Sequence, residues 1–383
     1  MDVVIGISHA SKRSFTWNAV LNKLLWVAGN GVVAYDVKRG FRSVVQFHKA
    51  GESVGPLGPL AVSQDGRILA VGETGKRSAI FIYDFERNEQ VATLLGHQHG
   101  LTSLCLSSEG NLLCAVGSNE DMSFCIWDWK EGVPLGGRAL RLSRMIVDLT
   151  WSPALKAFCG VGERFVKFWD TTLPNGRLEG RSCILAAHKE EMYVAGSSSQ
   201  SLQVDSTFAI TASGLLCCFG ASMVMERWIN LKTNKGISLV ACEAFVVVLC
   251  RGQVVRLFDA ATMAYMGTLP REGSAEAVAA AIGPDHTSVA ILYDDRSVKI
   301  WNVQPLPAQV HLRLQAPLSP IQTAQMVSST SLLVCGPSSS LTIWHAETGR
   351  LEKEVHFGGL PAEVHGRCLA LDPIGSILAV GDS

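Results

Sequence analysis

The sequence predicts an all-β fold, a β-propeller of radial four-stranded sheets, and three observations carry that prediction. Apolar runs of about six residues alternate with short polar turns along nearly the whole chain, as the strands of small antiparallel sheets do. A polar turn between the first two strands of a repeat returns at Ser63-Gln64-Asp65-Gly66, Ser107-Ser108-Glu109-Gly110, Ser152-Pro153, Gly283-Pro284-Asp285 and Asp372-Pro373-Ile374-Gly375. Their spacings of 44, 45, 131 and 89 residues are one, one, three and two periods of a single unit. An independent marker closes the third strand: Tyr35-Asp36, Tyr83-Asp84, Trp127-Asp128, Trp169-Asp170, Cys218-Phe219, Phe258-Asp259, Trp301-Asn302 and Trp344-His345, at intervals of 48, 44, 42, 49, 40, 43 and 43. A unit of about 40 to 45 residues is one blade, and each blade needs its neighbours to cover its apolar faces.

The third repeat is the fullest copy. It opens GHQHGLTSLCLSSEG at Gly96, continues LLCAVGSNED and closes SFCIWDW, the order of a WD repeat. A hydrogen-bond chain from Asp121 through His97 to a hydroxyl, with Ser118 as the candidate, and on to the Trp127 indole N–H would tie this blade together, because buried polar groups need partners. Elsewhere the set is depleted. Six residues before other closing aromatics stand Glu163, Asp295, Gly252, Gly29, Arg77 and Ser338, so apolar packing between blades must supply most of the stability. Ala277 to Ala281 looks helical by composition, but its place in the period makes it a first strand.

Residues 170–205, with Pro174-Asn175-Gly176 and Ser197-Ser198-Ser199, predict a longer surface excursion. Residues 302–320 hold Pro305, Pro307, Pro317 and Pro320 and read as a connector. The expected domains are a first propeller of seven repeats at 1–305, then an eighth repeat and partial ninth at 306–383 that start a second propeller; a single eight-bladed ring is the alternative. Leu369 to Ser383 supplies two strands of a ninth repeat and stops before its tight turn, which reads as the N-terminal part of something longer.

Composition narrows the function. Net charge is −1 and only 17% of the 383 residues are charged, so no electrostatic footprint for nucleic acid or an acidic membrane is present. The longest strongly apolar run, Phe245 to Cys250, falls well short of the roughly 20 residues a membrane helix needs. Asp2 and Val3 to Ile7 do not make a secretory leader. Eleven cysteines, mostly inside apolar strand patterns, read as buried thiols of a reducing, cytoplasmic compartment.

Four runs, DMSFCIWDWKEG at Asp121, RFVKFWD at Arg164, DSTFAITASGLLC at Asp205 and ERWINLK at Glu226, resemble one branch of the WD-repeat proteins. That branch comprises the mitogen-activated protein kinase binding protein and its paralogue, the microcephaly-associated spindle-pole WD-repeat protein. The resemblance runs from about Val4 to the end of the sequence and is strongest between residues 60 and 235. It implies fused propellers acting as a scaffold for c-Jun N-terminal kinase signalling and at centrosomes, spindle poles and microtubules. The family's kinase-docking elements lie largely in a tail that this sequence lacks.

No residue set here reads as catalytic, and no cofactor, metal or small-molecule substrate is expected. Gly51-Glu52-Ser53-Val54-Gly55 matches a nucleophile elbow in letters but lacks the flanking strand and helix. Gly75-Lys76-Arg77-Ser78 fails as a phosphate loop, since Ala70 stands where glycine is required and Arg77 where Ser or Thr is. Cys217-Cys218 would point to opposite faces of a strand. Arg138, Arg141 and Arg144 form a basic group that is either solvated rim or a patch for an acidic partner. The expected partners are other proteins: kinase-pathway or centrosomal and spindle components, with tubulin as the microtubule alternative. A propeller enzyme with a central-channel site is the third reading.

Overall fold

The computed structural model describes residues 12–135, 140–172, 178–199, 206–232, 235–304, 307–314, 323–328, 331–335, 340–345, 351–356, 368–371 and 378–381. Among them the strands form consecutive antiparallel meanders. The first sheet is β1 (Phe15–Asn18), β2 (Lys23–Ala28), β3 (Gly31–Asp36) and β4 (Phe41–Gln46), and the second is β5 (Leu57–Val62), β6 (Ile68–Glu73), β7 (Ala79–Asp84) and β8 (Glu89–Leu95). The third is β9 (Leu101–Leu106), β10 (Leu112–Gly117) and β11 (Ser123–Asp128), whose outer edge is covered by the short β12 (Val133–Pro134) and β13 (Leu140–Arg141). The fourth is β14 (Ile146–Ser152), β15 (Ala157–Gly162), β16 (Phe165–Asp170) and β17 (Glu179–Ser182). The fifth is β18 (Tyr193–Ser198), β19 (Thr207–Thr211), β20 (Leu215–Phe219) and β21 (Met225–Asn230). The sixth is β22 (Gly236–Ala241), β23 (Phe245–Cys250), β24 (Val254–Asp259) and β25 (Tyr265–Thr268). The seventh is β26 (Ala277–Ile282), β27 (Ser288–Tyr293), β28 (Val298–Asn302) and β29 (Gln309–Leu314).

Position within a blade explains residue type. Second strands lie between two neighbouring blades, so both faces are covered and the sequence runs apolar throughout: Ile68–Glu73, Phe245–Cys250 and Ser288–Tyr293 are buried at every residue. Outer strands alternate, as Gln309–Leu314 does with every other residue exposed. In blades two and three the turn after the first strand is closed by its own serine: the Ser63 and Ser107 carbonyls each accept the N–H of the glycine three residues on, at 2.9 Å.

Seven apolar clusters fill seven seams. One joins blades one and two around Leu25, Val32, Leu69 and Phe81, and the next joins blades two and three around Ile80, Leu104 and Trp127. Phe124 and Trp169, stacked at 4.3 Å, join three and four. Phe168 and Tyr193 join four and five, Phe208 and Val248 five and six, and Leu257 and Trp301 six and seven. The last cluster closes the ring: Phe15, Trp17, Trp26 and Tyr35 of the first sheet pack against Ala279, Ala290, Leu292 and Ile300 of the seventh. The architecture is therefore a closed seven-bladed propeller, with no strand exchanged across the closing seam among the described residues.

The chain then continues into β30 (Thr323–Met326), β31 (Ser331–Cys335), β32 (Ser340–His345) and β33 (Leu351–His356), followed by the two-stranded β34 (Cys368–Leu371) and β35 (Leu378–Gly381). Trp344 and Val334 form a separate small core there.

Two stretches depart from expectation. Within 302–320, Gln309–Leu314 is the outer strand of the seventh blade, paired with β28 from Val298↔Leu314 to Asn302↔Gln309. The seventh sheet thus passes the boundary expected at 305; Pro307 precedes the strand by two residues and takes no part in the pairing, which begins at Gln309. Residues 170–205 are likewise blade structure in part, holding β17 and β18, and Ser197-Ser198 lie in an inner strand. Pro174-Asn175-Gly176 lies outside the described residues. Ala277 to Ala281 is strand as its period requires.

Candidate functional site

In the third blade the predicted hydrogen-bond set forms only in part: His97 and Asp121 meet, a different serine supplies the hydroxyl, and Trp127 stays outside it. His97 Nδ1 lies 3.0 Å from Asp121 Oδ2 and 2.7 Å from the Ser123 hydroxyl, which itself bonds Asp121. The hydroxyl is Ser123, not Ser118. Ser118 opens the turn, where its carbonyl accepts the N–H groups of Asp121 and Met122 at 3.0 and 2.8 Å, while Ser123 is the first residue of β11. Trp127 does not join the chain. It stands four residues along the same strand, about 13 Å from Ser123 at ~3.3 Å per residue, and its indole N–H has no hydrogen-bond partner among the described residues. Its ring packs on Gly96 instead, where an added Cβ would come within 3.0 Å. Gly117 is required for the same compactness, because a Cβ there would lie 2.3 Å from Asp121 Oδ2. Burial, partly offset by Asp121, lowers the His97 pKa and favours the neutral ring.

Blade two uses different chemistry for the same task. Glu73, buried at the end of β6, accepts the Gly55 and Ala79 N–H groups at 2.7 and 2.8 Å and the Lys49 ammonium at 3.2 Å. It ties the loop from the first blade to the second blade's hairpin. Sequence reasoning missed it; the only signal was a carboxylate closing the otherwise apolar ILAVGE strand.

The inner strands surround a cavity of about 240 Å³ on the ring axis. Lys12 and Arg13, just before β1, reach across it to Asp148 on β14; Arg13 pairs with the carboxylate, and Lys12 Nζ lies 3.7 Å from it. Arg13 also donates to the Leu149 carbonyl at 3.2 Å, and Lys12 to that of Val194.

On the rim, Arg141 sits exposed on β13 and Arg144 exposed in the turn before β14, while Arg138 lies outside the described residues. A different rim feature has the larger apolar exposure. Trp228 on β21 is 53% exposed and meets His188 edge-on at 4.8 Å; Ile184 is 62% exposed and bridges Val224 beside the same strand.

The decoy motifs fall where their context placed them. Ser53 is exposed in the loop between the first two blades, and Gly75 to Ser78 form the β6–β7 hairpin. Cys217 and Cys218 are both buried on β20 and enter different clusters, one at each face of the fifth blade. Burial pushes the Cys125, Cys159 and Cys183 thiols up, the first and last to about 12.

Comparison with known proteins agrees with this geometry. Residues 88–128 match the WD domain, G-beta repeat family. WD repeat-containing protein 62 of Sus scrofa is 28% identical over 339 residues, covering 80% of this chain and 21% of its own length. Mitogen-activated protein kinase-binding protein 1 of Homo sapiens is 24% identical over 427 residues, covering 100% of this chain and 28% of its own length. The chain thus spans less than a third of these relatives. A chain of the mitotic checkpoint complex crystal structure superposes with a TM-score of 0.63 at 15% identity, over 79% of this chain and 90% of that one. The Cps50 (Swd1) β-propeller domain of Myceliophteria thermophila gives 0.58 at 17% identity, over 76% and 94%. At these identities the two structures share the fold alone. With seven sheets closed on one another and the repeat signature in the third, the chain is a β-propeller with a WD repeat at residues 88–128, similar in sequence to WD repeat-containing protein 62 and mitogen-activated protein kinase-binding protein 1.

Proposed function

We propose that the ring is a non-catalytic interaction scaffold of the kinase-scaffold and spindle-pole kind, binding cytoplasmic partner proteins through its outer surfaces. The observation that carries this is the exposed apolar group of Trp228 and Ile184 with His188, since large aromatics left in solvent on a well-packed protein mark contact sites. The names of the relatives favour kinase-pathway partners. The channel cations are ion-paired to Asp148, an arrangement that favours holding over catalysis. Affinity purification from dividing cells, with wild type beside Trp228→Ala, tests the reading. Centrosomal or kinase-pathway proteins should be recovered and then depleted in the variant. Recovery of neither, in either sample, removes the proposal.

A second reading, direct microtubule binding, rests on exposed Arg141 and Arg144 facing acidic tubulin tails. Cosedimentation with polymerised tubulin separates it. A salt-sensitive pellet lost in an Arg141→Glu, Arg144→Glu variant supports it, and an unchanged supernatant at low salt refutes it.

A further inference from the structure

The loop that carries the chain from blade three to blade four exposes one serine between two arginines. Arg141 ends β13 opposite Ser123 of β11, and the Leu142 N–H donates to the Met122 carbonyl at 2.7 Å, so the entry to the loop is fixed. Ile146, fully buried at the start of β14, fixes the exit. Between these anchors Arg141, Ser143 and Arg144 are exposed. Among the described residues neither guanidinium forms an ion pair and the Ser143 hydroxyl forms no hydrogen bond. Of the described serines and threonines, Ser143 alone has an arginine within two residues on each side. Other serines next to an arginine are engaged: the Ser78 hydroxyl donates to the Gly75 and His99 carbonyls, and that of Ser297 to Asp295.

We propose that Ser143 is a phosphorylation site for a basic-directed protein serine kinase, one whose peptide groove presents carboxylates to Arg141 and Arg144. Such grooves select substrates by charge pattern, and this loop offers the pattern with the acceptor hydroxyl and both cations open to solvent. In the transfer, Ser143 Oγ attacks the γ-phosphorus of a nucleoside triphosphate, and the new Oγ–P bond forms as the bond to the β,γ-bridging oxygen breaks. The nucleoside diphosphate leaves with that electron pair, and the hydroxyl proton passes to the kinase's catalytic carboxylate. The phosphate adds about 1.5 to 2 negative charges beside two arginines and cancels the positive charge they present. The site therefore deepens the microtubule reading and rests on it only for this consequence: a patch that meets an acidic partner is switched off by modification.

The test is labelling of the purified chain by the catalytic domain of a basic-directed serine kinase with γ-labelled nucleoside triphosphate, a proline-directed kinase serving as control, and mapping of the product by mass spectrometry. Phosphate at Ser143 with the first kinase and none there with the second is the expected result. Ser143→Ala should abolish that label, and the Arg141→Gln, Arg144→Gln variant should lower kcat/KM for it about tenfold or more. No phosphate at Ser143, or an equal rate in the folded double variant, overturns the proposal. Cosedimentation with polymerised tubulin then reads the consequence: the phosphorylated chain should stay in the supernatant where the unmodified chain pellets, and equal pelleting of the two overturns the switch. An unmodified chain that does not pellet removes the microtubule reading, while the labelling still decides the site.

Discussion

Trp127 is the sharpest probe of how a blade is held. Its ring is 6% exposed and sits in the seam between blades two and three with Leu104, Leu113 and Trp129. A tryptophan buries roughly 150 to 250 Å², which at ~25 cal/mol per Å² gives an upper bound of about 4 to 6 kcal/mol. Loss of a buried aromatic ring to alanine costs roughly 3 to 5 kcal/mol. At about 2 °C per kcal/mol for a domain of this size, Trp127→Ala should lower the thermal midpoint by about 6 to 10 °C. Because the indole N–H has no partner among the described residues, Trp127→Phe should cost only about 1 to 1.5 kcal/mol. Circular-dichroism melts of the two variants decide it. A Trp127→Ala midpoint within a degree or two of wild type refutes the packing argument, and a Trp127→Phe loss as large as that of alanine shows a bonded N–H.

Glu73→Ala should cost about 2 to 4 kcal/mol in urea unfolding, since the buried Ala79 amide and the half-buried Gly55 amide lose their acceptor; Glu73→Gln, which keeps one oxygen, should cost less. The folded pKa of His97 lies below its ordinary value, so the unfolded chain takes up the proton first. Stability present above about pH 6.5 is then lost as pH falls, and His97→Gln should flatten that slope. At Asp285 burial works upward, but bonds from the hydroxyls and N–H groups of Ser288 and Thr287 hold the carboxyl down to about 2. Its contribution is therefore present above about pH 3.8 and lost towards pH 2, where Asp285→Asn and wild type should melt together. Trp228→Ala should leave stability within about 0.5 kcal/mol while depleting bound partners, as a solvent-facing contact residue does.

The repeat period made the blades legible because seven of the eight third strands end on an aromatic-polar step, from Tyr35-Asp36 to Trp344-His345, and the exception, Cys218-Phe219, keeps the spacing. It could not show which blade closes the ring, since Phe15 and Trp17 meet Ala279 and Ala290 across more than 260 residues of chain. Ser123 was missed because Ser118 and Ser123 flank the same turn, and only the register of β11 directs one hydroxyl to His97. β29 was hidden by the prolines on either side of it in the sequence. The Lys12–Asp148 contact and the Trp228 group draw on residues with no motif: the first pair meets across the ring axis, and Trp228 meets His188 of the connector that enters its own blade.

Closure at seven blades is tested most directly by ending the chain at Leu314. With the first and seventh sheets packed on each other, removing residues 315–383 should leave the cooperative melt intact and its midpoint within about 1 °C of the full chain. A collapse of cooperativity, or a midpoint lowered by several degrees, would mean that the eighth sheet belongs to the ring.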